Sequence, residues 1–152
     1  MDNAIQFRRM QVRDLPEVME IERLSFSHPW HETTFQGELQ NAPISFPRVA
    51  ERTSDGRVVG YIIYWKIKDD IQINNIAVHP EVRGLGLGEA LMRHVLSCVL
   101  AEGAVFVSLE VRVTNAAARR LYEKLGFEVY GIRKDYYSDP TEDAVVMGRH
   151  LQ

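Results

Sequence analysis

Only one cysteine, Cys98, occurs in 152 residues. No disulfide can form within the chain, so a stapled secreted scaffold is excluded and a reducing compartment is expected. No apolar run approaches the about 20 residues that a membrane-spanning helix needs. The first residues, MDNAIQFRRMQVRD, lack the apolar stretch of a signal peptide. Basic charge is not in excess: 18 Lys and Arg stand against 21 Asp and Glu, for a net charge of −3 and a pI near 6.0. Direct binding to nucleic acid is therefore not expected, nor is a membrane surface. The five histidines (His28, His31, His79, His94 and His150) show no metal-ligand spacing, so no metal is expected. There is no repeat, low-complexity tract or linker. What remains is ordinary globular composition, 45% hydrophobic and 26% charged, long enough for a proper core. One domain over residues 1–152 is expected, in the cytoplasm.

The patterning gives the elements in order. Ala4–Met10 alternates loosely and reads as a strand. Asp14, with Pro16 and Glu17 behind it, reads as a capping-box-like helix start, and Leu15, Val18, Ile21 and Leu24 recur at helical spacing. Ser27-His28-Pro29-Trp30 breaks that helix. A short helix follows over Glu32–Leu39, ended by Asn41-Ala42-Pro43. Arg48–Arg52 and Arg57–Ile67 are strands joined by the turn signal Ser54-Asp55-Gly56. Ile71–Val78 is the next strand after Asp69-Asp70. A helix with Leu87, Leu91, Val95 and Cys98 on its apolar face runs toward Gly103. Val105–Val113 is strongly β-forming. Thr114-Asn115 caps a helix through Leu125, closed by Gly126. Phe127–Gly131 and Ala144–His150 are the last strands, around an acidic, aromatic connection over 133–143. The order β-α-α-β-β-β-α-β-α-β-β predicts a mixed α/β fold, a sheet covered by helices.

The stretch Asn74 to Met92, NNIAVHPEVRGLGLGEALM, stands out. An apolar strand end leads through a turn into Arg83-Gly84-Leu85-Gly86-Leu87-Gly88 and a helix. Unpaired N–H groups and the helix dipole make such a start an anion site, and glycines let the backbone come close. A P-loop needs Lys and then Ser or Thr after its last glycine, but Glu89-Ala90 follows Gly88. The dinucleotide fingerprint needs a third glycine where Glu89 or Leu91 stands. The residual pattern, Arg83-x-x-Gly86-x-Gly88 after Ile76-Ala77-Val78, resembles the acyl-CoA pyrophosphate loop of the GNAT superfamily of N-acetyltransferases. The element order is that of the GNAT fold. Further segments are similar to the bacterial ribosomal-protein-alanine N-acetyltransferases, which acetylate a protein N-terminal amine. They are Phe26-Ser27-His28-Pro29-Trp30 with Thr34-Phe35, Leu109 to Phe127, and Asp135-Tyr136-Tyr137 with Glu142-Asp143-Ala144.

The resemblance implies acetyl-CoA as co-substrate and a protein N-terminus, such as that of a ribosomal protein, as acceptor, with direct attack in a ternary complex. It places Glu110 as proton acceptor and Tyr122 as proton donor to the CoA thiolate. Cofactor contacts fall on Ile76, Ala77 and Val78 through the backbone, on Arg83, Gly84, Leu85, Gly86, Leu87, Gly88 and Glu89 around the pyrophosphate, and on Asn115. The residues read by themselves leave plainer alternatives. Glu110 shares a strand face with Arg112 and pairs with it in the simplest account. Tyr122 is a packed aromatic, although Leu121 and Leu125 could carry the core stripe without it. Asn115 is a helix N-cap. Asn74-Asn75 marks a bulge or a strand end. Cys98 reads as buried, His28 and His31 as candidate acceptor-side residues, and Asp135, Asp139, Glu142 and Asp143 as a solvated hairpin. Glu89 departs from the pattern, because a carboxylate beside a pyrophosphate is unfavourable unless it turns away. Transfer to a lysine or a small amine, and a non-catalytic acetyl-CoA-binding module, are the rival readings.

Overall fold

Alternation in one strand shows how the chain covers a sheet on both faces. In β5 (Phe106–Arg112), Val107, Leu109 and Val111 are buried while Ser108, Glu110 and Arg112 are only half-buried. A computed structural model describes residues 4–151; the expected domain limits at 1–3 and 152 lie outside the described residues. The order expected from the pattern is present: β1 (Ile5–Arg9), α1 (Leu15–Ser25), α2 (Glu32–Gln40), β2 (Ser45–Arg52), β3 (Val58–Ile67), β4 (Asp70–Val78), α3 (Leu87–Ala101), β5, α4 (Ala116–Lys124), β6 (Glu128–Tyr137) and β7 (Glu142–His150). Short 3-10 turns precede α1 and follow β4. The strands form one seven-stranded sheet in the order β1-β2-β3-β4-β5-β7-β6. β4 and β5 pair in parallel and the other neighbours are antiparallel.

Two apolar clusters sandwich this sheet. Leu87, Leu91, Met92, Val95 and Val99 of α3 and Tyr122 of α4 pack on one face with Val107, Leu109 and Val111. Leu15, Val18 and Ile21 of α1 and Phe35 of α2 pack on the other with Tyr61 and Ile63. The helix stripes differ in detail from the sequence reading. Leu24 is exposed and α1 ends its buried face on Glu22. Cys98 is half-buried at the edge of the α3 stripe, and Val99 is the buried residue there. In α4 the buried member is Tyr122 and Leu121 is half-buried, so the tyrosine is part of the stripe. The expected capping box at Asp14 is also absent. Asp14 takes a bidentate bond from Arg8 at 2.8 Å and the Gln11 N–H at 2.7 Å, while Glu17 accepts from the N–H of Val58 at 2.9 Å.

Strands β2, β6 and β7 extend two or more residues beyond their expected ends. β2 begins at Ser45 and contains Pro47. The Met10 N–H donates to Pro47 O at 3.0 Å, so that edge of Pro47 faces the end of β1. The missing N–H falls where the β1 ladder stops. The connection over 133–143 is mostly strand: β6 runs to Tyr137 and pairs with β7 through two irregularities in register. β6 is an edge strand with mostly exposed side chains, so it carries no apolar alternation to read.

Candidate active site

β4 and β5 pair only where they start, Asp70–Gln72 against Phe106–Ser108. Beyond those residues they part. The parting coincides with a bulge in β4: Ile63 lies opposite Asn75 and Tyr64 opposite Ile73, which leaves Asn74 as the extra residue. One extra residue reverses the faces of everything after it. Ile71 and Ile73 join the cluster under α3, while after the bulge Ala77 joins the cluster under α1. Asn74-Asn75 is therefore a bulge in mid-strand. The gap it opens is a cavity of about 530 Å³ lined by both strands, the end of α1 and the loop after it, α4, and the Tyr136-Tyr137-Ser138 segment.

The β4 side of the gap offers backbone groups. The His79 N–H donates to Val59 O at 2.8 Å, so the polar groups of His79 face β3. Alternation turns those of Ala77 the same way and those of Ile76 and Val78 toward the gap. Ala77, expected beside them, thus keeps its backbone in the β3 ladder. Arg83 Nε donates to Val78 O at 3.2 Å and its Nη2 reaches Ser25 Oγ at 3.0 Å, so its guanidinium ties the glycine loop to β4 and α1.

Gly84 and Gly86 have φ of 81° and 82°, the left-handed region open mainly to glycine. That bend brings the chain round to start α3 at Leu87. The first intrahelical acceptor, Gly86 O, receives the Ala90 N–H at 3.0 Å. The N–H groups of Leu87, Gly88 and Glu89 are the unpaired first turn of the helix. Leu85 is exposed at the tip of the loop. The side chain of Glu89 is held away from the loop by Lys124 and Arg93, each at 2.8 Å. Those two cations hold its carboxyl below the usual range, Lys124 first. The mismatch read at this position is thereby answered by two charges, Arg93 one turn further along α3 and Lys124 at the end of α4.

Glu110 and Tyr122 line the same cavity. They come from opposite faces, Tyr122 from the α3–α4 cluster and Glu110 from the face opposite Leu109 and Val111. Burial pushes the Tyr122 hydroxyl up to about 12, so it keeps its proton at neutral pH. Glu110 lies 3.3 Å from Arg133 Nε. The expected partner, Arg112, goes elsewhere: it bonds Glu142 at 3.1 Å and stacks over Tyr137 at 4.4 Å. Tyr136 is raised by its hydrogen bond to Glu110 and then by burial. Tyr137 is pushed up to about 12 by burial and then by the charge of Glu110. Asn115 caps α4 through its side-chain oxygen, which accepts from the Ala118 N–H at 3.2 Å. Its amide nitrogen remains a donor at the cavity wall.

The wall opposite β4 comes from two loops. Phe26, Ser27, His28 and Trp30 line it from the α1–α2 side, whereas His31 does not. His28 Nε2 meets Asp139 Oδ2 of the β6–β7 turn at 3.0 Å. Glu142, read as part of a solvated hairpin, is mostly buried. It accepts from the Thr114 N–H at 2.7 Å, from the Thr114 hydroxyl and from Arg112, and Thr114 first among these lowers its carboxyl. Glu142 thereby anchors the hairpin that carries Tyr136 and Tyr137. Sequence reasoning missed Glu22, a buried carboxylate at the cavity. The signal was available: an acid among the apolar positions of α1, in register with Val18 and one residue past Ile21.

Residues 15–127 match the model of the Acetyltransferase (GNAT) family. A Bacillus subtilis strain 168 protein, provisionally named a ribosomal protein bS18-alanine N-acetyltransferase, is 44% identical over 140 residues, 92% of this chain and 91% of its own. The ribosomal protein bS18-alanine N-acetyltransferase of Escherichia coli strain K12 is 36% identical over 140 residues, 91% of this chain and 92% of its own. The crystal structure of the Escherichia coli ribosomal-protein-S18-alanine N-acetyltransferase superposes with a TM-score of 0.90 at 32% identity, covering 98% of this chain and 95% of that one.

Proposed function

The chain belongs to the acetyltransferase (GNAT) family, and from that premise we propose that it moves acetyl from acetyl-CoA to the α-amine at a protein N-terminus; the Escherichia coli relative is named a ribosomal protein bS18-alanine N-acetyltransferase. The observation that carries the reading is the cavity at the β4–β5 gap, lined by Glu110 from one face and Tyr122 from the other. Residues 1–152 would act as one domain.

Acetyl-CoA lies along the free β4 edge, where the Ile76 and Val78 N–H groups face the gap. The pyrophosphate sits on the N–H groups between Gly84 and Glu89, and Asn115 adds an amide donor. The acceptor comes from the other face, past Phe26 and Tyr136. A strand-edge N–H holding the thioester oxygen strengthens its bond as the oxyanion forms, and losing one such donor costs about 10²–10³ in rate. Glu110 takes the amine proton, directly or through water. Tyr122 supplies a proton to the leaving thiolate. An α-amine with a pKa of about 7.7–8.0 is already partly neutral at pH 7, whereas a lysine at about 10.4 asks far more of a base.

The test offers acetyl-CoA with a peptide that begins with alanine and contains one lysine, and with the same peptide blocked at its N-terminus. Mass spectrometry then locates the acetyl group. Acetylation of the free peptide at its α-amine, with the blocked one unmodified, is expected. Lysine acetylation in both would overturn the acceptor assignment.

A further inference from the structure

Glu22 is 1% exposed, yet it lines the cavity. Its carboxylate gathers donors from three parts of the chain. Oε1 accepts from the hydroxyl of Tyr61 on β3 and from Asn75 Nδ2 on β4, the latter at 2.8 Å. Oε2 accepts from the Trp30 backbone N–H at 2.8 Å. No cation is among these partners. A buried carboxylate without one is costly unless hydrogen bonds replace its hydration, so Glu22 is tied closely to its donors. Burial, and then the charge of Glu22, raise the Tyr61 hydroxyl, which keeps it a donor.

Those donors sit on both sides of the reaction. Asn75 follows the bulge at Asn74 and precedes Ile76, whose N–H faces the gap. Trp30 belongs to the loop that walls the acceptor side. We propose that Glu22 is a positioning residue for the transfer, one carboxylate that holds the acceptor wall at Trp30 and the acetyl-CoA edge at Asn75 in fixed relation. It touches neither reacting atom. Its effect is on the distance and angle between amine and thioester, where a displacement of about 1 Å costs about 10²-fold. The inference rests on the acetyl-transfer reading of this cavity.

Glutamine at position 22 has one acceptor atom and one donor atom. Whichever way it turns, a donor meets either the Trp30 N–H or the pair from Tyr61 and Asn75. In Glu22→Gln, kcat on the alanine peptide is expected to fall by about 10–100-fold, with acetyl-CoA Kd within about twofold of wild type. Asn75→Leu cuts the arm to β4 while leaving Glu22 in place, and carries the same test should Glu22→Gln fail to fold. Its loss is expected to be similar, and the double variant to lose little more than the worse single one. Exchange of the Trp30 amide, followed by NMR without an acceptor, is expected to quicken by about tenfold in Glu22→Gln. That readout needs no turnover, so an inert wild type would refute the activity reading while exchange still judges Glu22. Unchanged kcat, a matching loss of acetyl-CoA affinity, additive losses in the double variant or unchanged exchange would each overturn the proposal.

Discussion

Glu110 and Tyr122 face one cavity from opposite sides of the same sheet. In the proposed reaction this placement lets Glu110 serve the acceptor on one face and Tyr122 the acetyl-CoA on the other. The bulge at Asn74 and the short β4–β5 pairing make the passage. If Glu110 serves the amine, Glu110→Gln lowers kcat by at least about 10²-fold at pH 7. The deficit should shrink as pH rises past about 8, where the α-amine is already neutral. A pH–rate profile checks this; a deficit that stays constant with pH would remove Glu110 from proton transfer.

Tyr122→Phe keeps the ring that packs near Phe127, at 6.0 Å between centroids, and removes only the hydroxyl. Thermal stability and acetyl-CoA Kd should stay near wild type while kcat falls by at least about 10²-fold. Isothermal calorimetry and steady-state kinetics separate the two. An equal loss in both would make Tyr122 a packing residue.

Gly86→Ala places a side chain at φ 82° with no atom within 4 Å of the added Cβ, so the cost is backbone conformation, about 1–2 kcal/mol. Gly56, at φ 69° in the β2–β3 turn, offers the same backbone problem away from the cavity. Both alanine variants should lose similar stability. Gly86→Ala alone should weaken acetyl-CoA by about tenfold, which a titration of each variant measures.

Arg8 and Asp14 form a pair in which the Asp14 side chain is 3% exposed. Burial alone would raise the Asp14 carboxyl, but the bonds from Arg8 and the Gln11 N–H outweigh it and the net shift is downward. A depressed folded pKa contributes stability above the unfolded value of about 3.9, lost as pH falls through the lower folded value. Arg8→Met leaves Asp14 buried without its cation and should cost about 3 kcal/mol at neutral pH. Below about pH 4 the gap to wild type should narrow. Urea denaturation across pH follows both.

The element order and the glycine loop were legible because they rest on local signals: periodicity, caps and punctuating glycines. The faces of β5 were legible because alternation survives wherever one side is buried. What was hidden depends on distant partners. Arg112 turns to Glu142 and Tyr137 because the hairpin folds back over it, leaving Glu110 to Arg133 and Tyr136. β6 is an edge strand with few buried side chains, so its second half read as a loop. The position of Glu22 among the apolar residues of α1 marks it as buried, but its donors Tyr61, Asn75 and Trp30 come from three other segments. The carboxylate of Glu89 looked misplaced beside a phosphate loop until α4 supplied Lys124.

The most direct test of the account is the affinity of two conjugates that join the CoA sulfur through an acetyl bridge to an alanine peptide, one at its α-amine and one at a lysine ε-amine. If both ligands meet in the β4–β5 gap with the peptide N-terminus at Glu110, the α-linked conjugate should bind at least about 10²-fold more tightly than CoA or peptide alone. The ε-linked conjugate should bind no better than CoA. Equal affinity of the two conjugates, or an α-linked conjugate no tighter than CoA, would contradict transfer to a protein N-terminus at this site.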